Sequence, residues 1–474
     1  MLETPRTGAI RSDAAASVAQ ARTSTPLSAP GPFSRKFIFL ILFAALVANA
    51  AIVLAGLQGW GRSDASTPTY SVTFGDLYDQ IARNLDQGNG YRVESAMGNT
   101  MLREPGYPLL LAAVFKLGGY GLEQARVVCV LLAFGAALIL LRLTRKITGD
   151  ATTALVAALL FLLYPGTLVA EARAGIEIPS IFTVLLFFIA LYSAVEKASL
   201  WRYLTAGLLL GVAVLVRSEV LLFPLPLLVY FLFGTRSWVE RRKAVERIAV
   251  LGFAAVAVMS PWMIRNYLLV HKFVPTATVA GVAAQEGLYT CENAAQGDPF
   301  WVAQMKAGFE REELATQLGR PFTGPYYQLF YSPQDEVAFN RALLNHVSTE
   351  YRSHPALLAT CAAKNLFFNF WFLGKTGKTV LLNMIAQVPL LALSITGVVV
   401  LWKRGLLRNA GIILLYILYI PALHAPIIAH ARHSTLIVPF LAMLAAVSLV
   451  SFWQTLRTNS GAPLQRSVAV PDPK

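Results

Sequence analysis

Long apolar segments recur along most of this chain and constrain its fold more than any other feature. A window of about 19 residues, the length needed to cross a bilayer core, finds about ten of them. Their approximate bounds are 37–57, 122–142, 151–169, 176–195, 203–217, 219–233, 247–267, 379–402, 410–428 and 434–453. The sequence therefore predicts an all-α polytopic membrane protein with about ten spans, in a range of roughly 9–13.

Composition agrees with this class and excludes others. Hydrophobic residues make up 56% of the 474 residues and charged ones only 14%, where a soluble chain has about 25% charge. Three cysteines without CxxC spacing exclude a disulfide scaffold and a cysteine zinc site. The net charge of +14 is concentrated beside the apolar segments, which indicates membrane topology, and no nucleic-acid partner is expected.

The basic residues alternate between loops and predict the orientation. They cluster in the N-terminal, second, fourth, sixth, eighth and C-terminal connections, whereas the intervening turns are poor in them. The positive-inside rule then places both termini in the cytoplasm and requires an even number of spans. The predicted membrane domain is 35–457, between disordered tails at 1–34 and 458–474. It exposes two outer segments, 58–121 and 268–378.

The shortest apolar segments and the outer arginines each leave two interpretations open. Segments 203–217 and 219–233 form either two tilted helices or one broken element. Four arginines lie at outer span ends, where an unpaired cation is costly: Arg173, Arg217, Arg265 and Arg432. They either snorkel and pair with nearby glutamates, or form a cluster that binds a phosphate. Their occurrence on four different spans favours the cluster.

The first outer segment carries a carboxylate at the start of an amphipathic stretch. Apolar residues recur every four positions from Leu77 to Leu85, which predicts a helix over 75–85 lying in the membrane interface. Asp76 stands at its start, where the helix dipole favours a carboxylate, and Asp79 follows three residues later on the same face. Asp76 is then either an N-cap or a functional carboxylate.

Motifs in this segment and beyond resemble a known family. In the first outer segment they are Asp76, Tyr78, Ala82, Leu85, Gly90, Tyr91 and Arg103-Glu104-Pro105-Gly106-Tyr107-Pro108. Further along they are Tyr164-Pro165 with Glu177, Gly207–Gly211 followed by Arg217, Ser260–Tyr267, and Arg432 with Pro439-Phe440. In this order they resemble the GT-C membrane glycosyltransferases, and among them the bacterial relatives of protein O-mannosyltransferases and of the lipid A aminoarabinose transferase. Ser218, where a proline is common, and the run 431–434 depart from the pattern.

This resemblance implies an inverting transfer of a sugar from a polyprenyl-phosphate donor to a lipid, glycan or protein acceptor. It places the reaction at the outer face of the bacterial inner membrane. Asp76 matches the general base, which takes the proton of the acceptor hydroxyl as that oxygen attacks the anomeric carbon. The leaving group is already a phosphate, so cations that stabilise its charge matter more than a general acid.

The remaining candidates fall into two groups. Those expected to bind the donor phosphate are Arg103, Arg265, Arg432 and Arg217. Those expected to position the acceptor or the sugar are Glu177, Asp79, Glu104, Tyr107 and Asn266. Glu177 has a structural ion pair as its alternative role, and Asn266 has the capping of a helix end.

A bound divalent metal is a further option, for which the sequence assigns no definite ligand. His424, His430 and His433 lie near Arg432, where a divalent metal could be held with Glu177 or Asp76. Their spacing is not HExxH, and interfacial, hydrogen-bonded histidines are the alternative.

The long outer segment 268–378 is expected to recognise the acceptor, because loops over a scaffold usually set specificity. Its aromatic run 364–372 either contacts sugar or carrier lipid, or forms an interfacial aromatic belt. Cys291 and Cys361 both lie in this segment, on the oxidising side, where pairing is allowed but not determined by the sequence.

The alternative to an enzyme is a polytopic transporter or a flippase of a polyprenyl-linked sugar. It predicts charges near the bilayer midplane and repeat symmetry between halves, whereas the charges of this chain lie at span ends. A non-catalytic scaffold gives no reason for Asp76 or Arg265. A polymerase or ligase of whole glycans lacks the early aspartate helix followed by Pro-Gly-Tyr-Pro.

Overall fold

The computed structural model describes residues 35–56, 76–235, 237–295, 300–321, 330, 332–374 and 377–459. All regular elements within these residues are helices, which confirms the predicted all-α membrane fold. The predicted tail 1–34, most of the tail 458–474, and Gly75 lie outside the described residues, so the domain bounds remain predictions.

The helices follow one another with short connections. In chain order they are α1 (Arg35–Ala51), α2 (Tyr78–Asp86), α3 (Gly106–Gly118), α4 (Leu122–Thr148), α5 (Ala151–Leu162), α6 (Pro165–Ala172), α7 (Glu177–Lys197), α8 (Leu200–Val216), α9 (Pro224–Phe233), α10 (Trp238–Val270), α11 (Ala280–Ala295), α12 (Phe300–Gln317), α13 (Pro333–Ser353), α14 (Pro355–Lys364), α15 (Phe370–Phe372), α16 (Gly377–Lys403), α17 (Leu407–His424), α18 (Ala431–Ser434) and α19 (Val438–Asn459). Short π-helical or 3₁₀ turns follow α1 and α8 and precede α15 and α19.

Six helical stretches are long and apolar enough to cross a membrane: α4, α7, α10, α16, α17 and the stretch that begins with α18 and continues through α19. Helices α5 and α6 form a further candidate, a pair bent by 48°. Four shorter apolar helices complete the set, and the predicted segments 37–57, 203–217 and 219–233 fall on three of them. The number that cross the membrane therefore stays a prediction.

The interrupted region around Arg217 forms two helices rather than one. Helix α8 ends at Val216, and Arg217 has extended backbone with φ −153°. A 3₁₀ turn over Ser218–Val220 then leads to α9, whose first residue is Pro224. Proline suits a first helical position because its missing N–H would have no partner there. The break places Arg217 at one end of the bundle.

The last span is the centre of the bundle. In its apolar window 83% of the residues are buried, against 28% in α16. At one end the rings of Phe188, Phe223, Tyr416 and Phe440 meet with centroids 4.8 to 5.7 Å apart. Interlocked aromatic rings add about 0.5–1.5 kcal/mol per pair beyond their buried area. This rigid layer supports the polar residues above it.

Two glycines set the close approach of α8 to α10. A Cβ atom at Gly207 would lie 2.2 Å from the carbonyl oxygen of Leu251, and one at Gly211 would lie 2.7 Å from that of Ala255. Small residues four apart let two membrane helices pack with their backbones in contact. The Gly207–Gly211 motif is therefore explained by helix packing.

The basic connections and Asp76 lie at opposite ends of the bundle. Lys146, in the last turn of α4, forms an ion pair with Glu196 near the end of α7. At the other end of α7 stands Glu177, beside Arg217 and Arg432. The cationic loops are thus separated from Asp76 by the length of a span, as the predicted topology requires. The orientation in a membrane remains a prediction.

The long outer segment is helical and is closed by a disulfide. Cys291 of α11 is bonded to Cys361 of α14, with their Cα atoms 5.4 Å apart. A small apolar cluster of Val282, Phe330, Phe339 and Leu343 lies within the same unit. The bond joins residues separated by 70 positions in sequence and so ties the unit together.

Glu336 fastens this outer unit to the first outer loop. Its carboxylate accepts hydrogen bonds from the Thr100 hydroxyl at 2.7 Å and the Met101 N–H at 3.0 Å, and also from the Thr278 hydroxyl. Burial raises the pKa of this carboxyl, while those donors and Arg265 act in the opposite direction. This connection was not predicted from the sequence, because the hydrogen bond between Thr100 and Glu336 joins residues more than two hundred positions apart.

We expect Glu336→Ala to lower the free energy of unfolding by about 1–3 kcal/mol, because it leaves buried donors unpaired. Glu336→Gln keeps one acceptor oxygen and should be much milder. Since the folded-state pKa is raised, the stability contributed by Glu336 is present at acidic pH and is lost as pH rises through that pKa. The difference in free energy of unfolding between wild type and Glu336→Gln, measured by thermal unfolding, should therefore shift in favour of the variant from pH 5 to pH 8. A difference that does not change with pH would contradict this.

The disulfide should be detectable as a linked peptide pair containing Cys291 and Cys361 in oxidised, digested protein. Replacing both residues with serine should lower stability by about 2–5 kcal/mol, the usual effect of removing a native disulfide. Cys129→Ser, a change to the buried free cysteine, is the control and should leave the linked pair intact. Alkylation of Cys291 and Cys361 without reduction would show that they are not bonded.

Candidate active site

The backbone at Asp76 places its carboxylate outside the helix that was predicted to contain it. Asp76 and Leu77 have φ of 56° and 73°, and α2 begins only at Tyr78. The N-cap residue is Leu77, which makes no side-chain cap hydrogen bond, so Asp76 does not occupy the predicted N-cap position. Left-handed conformations of such residues cost about 1–3 kcal/mol and often occur at functional sites.

The apolar stripe of α2 faces the protein. Leu77 and Ile81 are almost fully buried and pack with Tyr91, Leu102 and Trp262. The stripe is thus covered by protein, and the position of α2 in the membrane interface remains a prediction. This packing fixes the strained turn that carries Asp76.

Asp76 is held at both its side chain and its backbone. Its Oδ2 accepts a hydrogen bond from Arg432 Nη1 at 2.9 Å. Its carbonyl oxygen accepts one from Arg103 Nε at 3.1 Å. The Asp76 side chain nevertheless keeps 35% of its surface exposed. A substrate hydroxyl could therefore reach the carboxylate.

Arg103 and Glu104 hold this turn in place through contacts with neighbouring segments. The Arg103 guanidinium is buried over the ring of Tyr78, 5.1 Å from its centroid. The Tyr91 hydroxyl donates to the carbonyl oxygens of Arg103 and Glu104 at 3.0 and 3.1 Å. Glu104 Oε1 accepts the backbone N–H of Ser218 at 3.3 Å, which ties the first outer loop to the break after α8.

Tyr78 and Tyr91 are poor candidates for a base. Burial raises the pKa of both phenols above their ordinary value, although Arg103 acts in the opposite direction on each. Both therefore remain protonated at neutral pH and act as donors or as ring surfaces. Asp76 is left as the accessible carboxylate at this turn.

A row of alternating charges extends from Asp76 across three spans. Arg432 Nε lies 3.9 Å from Glu177 Oε1, and Arg217 Nη1 lies 4.0 Å from the same oxygen. Arg217 in turn binds Glu219, at 2.6 Å from Nη2 and 2.9 Å from Nε. Glu177 thus stands between two arginines, which gives it an ion-pairing role.

The arginines predicted to bind the donor phosphate differ in their exposure and in their contacts. Arg432 exposes 46% of its side-chain surface, whereas Arg217 exposes only 12%. Arg265 Nη1 donates to the Thr100 carbonyl at 2.8 Å and to Asn266 Oδ1 at 3.0 Å. Its guanidinium also lies against the rings of Tyr91 and Trp262. Arg265 is therefore engaged in holding the loop beside the site.

Three of the residues expected to position the acceptor or the sugar are hydrogen-bonded within the protein. Asp79 is buried and accepts a hydrogen bond from the Tyr120 hydroxyl at 2.8 Å, so it does not share a face with Asp76. Tyr107 donates to the Ala174 carbonyl. Asn266 donates to the Val274 carbonyl at 3.0 Å, a helix-end role. These three side chains stabilise the surrounding structure.

Glu219 is a part of the cluster that the sequence did not place in the site, and it lies beside His424, which was expected near Arg432 only as a possible metal ligand. His424 Nε2 lies 3.3 Å from Glu219 Oε1, and its Nδ1 lies 2.8 Å from the Ile428 carbonyl oxygen. A carbonyl only accepts, so Nδ1 carries the proton. Nε2 then donates to Glu219 when the ring is protonated. The signal available in the sequence was the Arg217–Glu219 spacing within the broken helix.

Only part of this cluster is available to a metal, because Glu219 Oε2 and His424 Nε2 have no hydrogen-bond partner among the described residues, whereas His433 is engaged. Glu219, His424 and His433 can each bring one donor atom within 4.8 Å of the others, the one such group among the described residues. However, His433 Nδ1 accepts the backbone N–H of His430, so its other nitrogen carries the proton in a neutral ring. The Glu219 oxygen near His424 already binds Arg217. No step of the reaction is therefore assigned to a metal.

The aromatic run 364–372 is divided between the interior and the surface. A π-helical turn over Asn365–Asn369 directs both asparagines inward, where Asn365 donates to the Ala425 carbonyl at 2.9 Å. Phe370 is buried with its ring 5.8 Å from that of His424. Phe367 and Phe368 are exposed. The run thus supports the site from within and offers an apolar outer surface.

Comparisons with known proteins agree with this architecture. Residues 103–264 match the family described as dolichyl-phosphate-mannose-protein mannosyltransferase. No curated protein sequence matches the chain. By structure, the chain is similar to an Archaeoglobus fulgidus oligosaccharyltransferase tethered with an acceptor peptide, with TM-score 0.52, 13% identity and coverage of 90% of this chain and 51% of that one.

Two further structures are similar over most of the chain. AglB from A. fulgidus, in complex with an inhibitory peptide and a dolichol-phosphate, has TM-score 0.53 and 12% identity, with coverage of 92% and 52%. ArnT from Cupriavidus metallidurans, bound to undecaprenyl phosphate, has TM-score 0.40 and 15% identity, with coverage of 91% and 82%. The chain spans about half the length of the oligosaccharyltransferases. Its residues 103–264 match the mannosyltransferase family, and its fold is similar to that of the A. fulgidus oligosaccharyltransferases.

Proposed function

We propose that this protein is an inverting glycosyltransferase. It moves a sugar from a polyprenyl-phosphate donor to a lipid, glycan or protein acceptor at the outer face of the bacterial inner membrane. The observation that carries the proposal is the pairing of an accessible carboxylate, Asp76, with a half-exposed arginine, Arg432, at one end of the bundle. Transfer from a sugar phosphate requires a base for the acceptor hydroxyl and a cation for the leaving phosphate.

The reaction balances with these groups alone. The acceptor oxygen forms a bond to the anomeric carbon as its proton passes to Asp76. The bond from that carbon to the phosphate oxygen breaks on the opposite side, and its electron pair remains on the phosphate. Inversion needs one carboxylate and no covalent intermediate. The polyprenyl phosphate that leaves requires charge stabilisation, which an arginine fork supplies.

The arrangement of arginines refines their roles. Arg432, and behind it Arg217, bind the donor phosphate, since these two line the row of carboxylates and Arg432 is the more exposed. Arg103 and Arg265 position the loop, because each is bonded to a backbone carbonyl. When donor phosphate takes over Arg432, the Asp76 carboxylate leaves this ion pair and accepts the proton.

The acceptor binds on the outer side of Asp76, against the disulfide-closed unit within 268–378. Glu336 supports this assignment, because it connects that unit to the loop bearing Arg103. The neighbouring structure with a tethered acceptor peptide carries one acceptor class in that protein, and a lipid or a glycan is equally compatible with the residues of this chain.

Replacing Asp76 tests the base. Asp76→Asn keeps the size of the side chain and should lower sugar transfer about 10²–10⁴-fold, the usual contribution of a general base. Transfer is measured with purified protein and a panel of polyprenyl-phosphate sugars, with donor binding measured in parallel. Asp79→Asn is the matched control and should retain far more activity. Equal transfer by Asp76→Asn and wild type would exclude the role, and carrier movement across a bilayer without transfer would favour a flippase.

Replacing Arg432 tests the phosphate site. Arg432→Gln should weaken donor binding and lower transfer about 10²–10³-fold, as does the loss of one transition-state donor. Arg432→Lys keeps the charge without the two-pronged geometry and should fall between the two. Arg173→Gln removes an exposed arginine that caps α6 and serves as control. The proposal fails if Arg432→Gln leaves both the donor affinity and the rate unchanged.

A further inference from the structure

A large groove opens at the end of the bundle opposite to Asp76. It lies between α9 and α10 and has a volume of about 810 Å³. The stretch of α10 from Trp238 to Arg265 is about 40 Å long at the helical rise, which is more than the thickness of a bilayer core. The groove is therefore distinct from the site described above.

Two helix faces form the walls of the groove. Helix α9 contributes Val229, Leu232 and Phe233, which recur at the spacing of one helical face. Trp238, Arg241, Arg242 and Val245 of α10 share a face in the same way. The walls are thus mostly apolar, with two cations side by side.

The apolar walls have no protein cover among the described residues. Phe233 is 88% exposed and Trp238 is 79% exposed. Val229 and Val245 are also exposed. In a protein that spans a membrane, such a surface is covered by acyl chains, and tryptophan is enriched where chains meet head groups. The position of Trp238, at the start of a candidate span, matches that depth.

The two arginines supply charge complementarity to an anion. Arg241 and Arg242 are exposed, and the part of the chain that the structure describes gives them no carboxylate partner. Each is free to present its guanidinium to a phosphate diester, which arginine binds with two parallel hydrogen bonds. Apolar walls below a pair of cations match a lipid with acyl chains and a negative head group.

We propose that this groove binds an anionic glycerophospholipid of the membrane leaflet that faces away from Asp76. Its phosphate lies between Arg241 and Arg242, and its acyl chains lie along Val229, Phe233 and Val245. The lipid fills the space between α9 and α10 and supports α10, the helix that carries Arg265. The site does not depend on the proposed transferase reaction, so either can fail alone.

Native mass spectrometry of the full-length protein tests the site, with phosphatidylglycerol and phosphatidylcholine of identical chains titrated separately. Wild type should retain phosphatidylglycerol preferentially. Arg241→Gln with Arg242→Gln should weaken that binding about 25-fold, a factor of about five for each arginine near a charged lipid. Binding of phosphatidylcholine should not change. Thermal unfolding of each variant in detergent establishes that it is folded.

The control removes the same charge from the same end of the bundle, outside the groove. Arg142→Gln with Arg145→Gln changes two residues near the end of α4 and should leave the preference for phosphatidylglycerol intact. Equal loss in both double variants would mean attraction to general surface charge and would overturn the site. So would an unchanged affinity in the groove variant, no preference between the two phospholipids in wild type, or stronger binding of a polyprenyl phosphate.

Discussion

The ion pair between Asp76 and Arg432 is the interaction around which the candidate site is arranged. It joins residues 356 positions apart, one in the first outer loop and the other at the start of the last span. Exposed ion pairs contribute little to stability, typically about 0–1 kcal/mol. Stability alone therefore does not account for the pair, and the strained backbone at Asp76 must be held by other contacts. Packing of Leu77 and Ile81 and the hydrogen bond from Arg103 provide them.

The site is built at places where helices are interrupted. Helix α8 stops at Val216, so that Arg217 and Glu219 leave the helix and face Glu177 and His424. A continuous helix could not direct these charges to one point. Aromatic rings of the core lie directly beneath, and Tyr419 donates to the Glu219 carbonyl at 2.7 Å. Rigid helices thus hold a cluster of alternating charges.

The sequence allowed the fold class, the candidate base and the outer arginines to be predicted, because apolar periodicity and misplaced cations are local signals. It could not rank those arginines, since their partners come from distant segments. Arg265 illustrates this, because its contacts with Thr100 and Tyr91 depend on how the first outer loop folds. The start of α2 was missed for the same reason. The left-handed turn at Asp76 and Leu77 is imposed by tertiary packing, and neither of these two residues is a glycine. Glu336 had no sequence signal at all.

The most direct test of the account is the stereochemistry of transfer. Purified protein is given polyprenyl-phosphate sugars of defined anomeric configuration, and the configuration of the glycosylated product is read by NMR. A single base at Asp76, with the phosphate held on the opposite side of the sugar by Arg432, predicts inversion in every product. Retention of configuration would require a second nucleophilic group and would contradict the account.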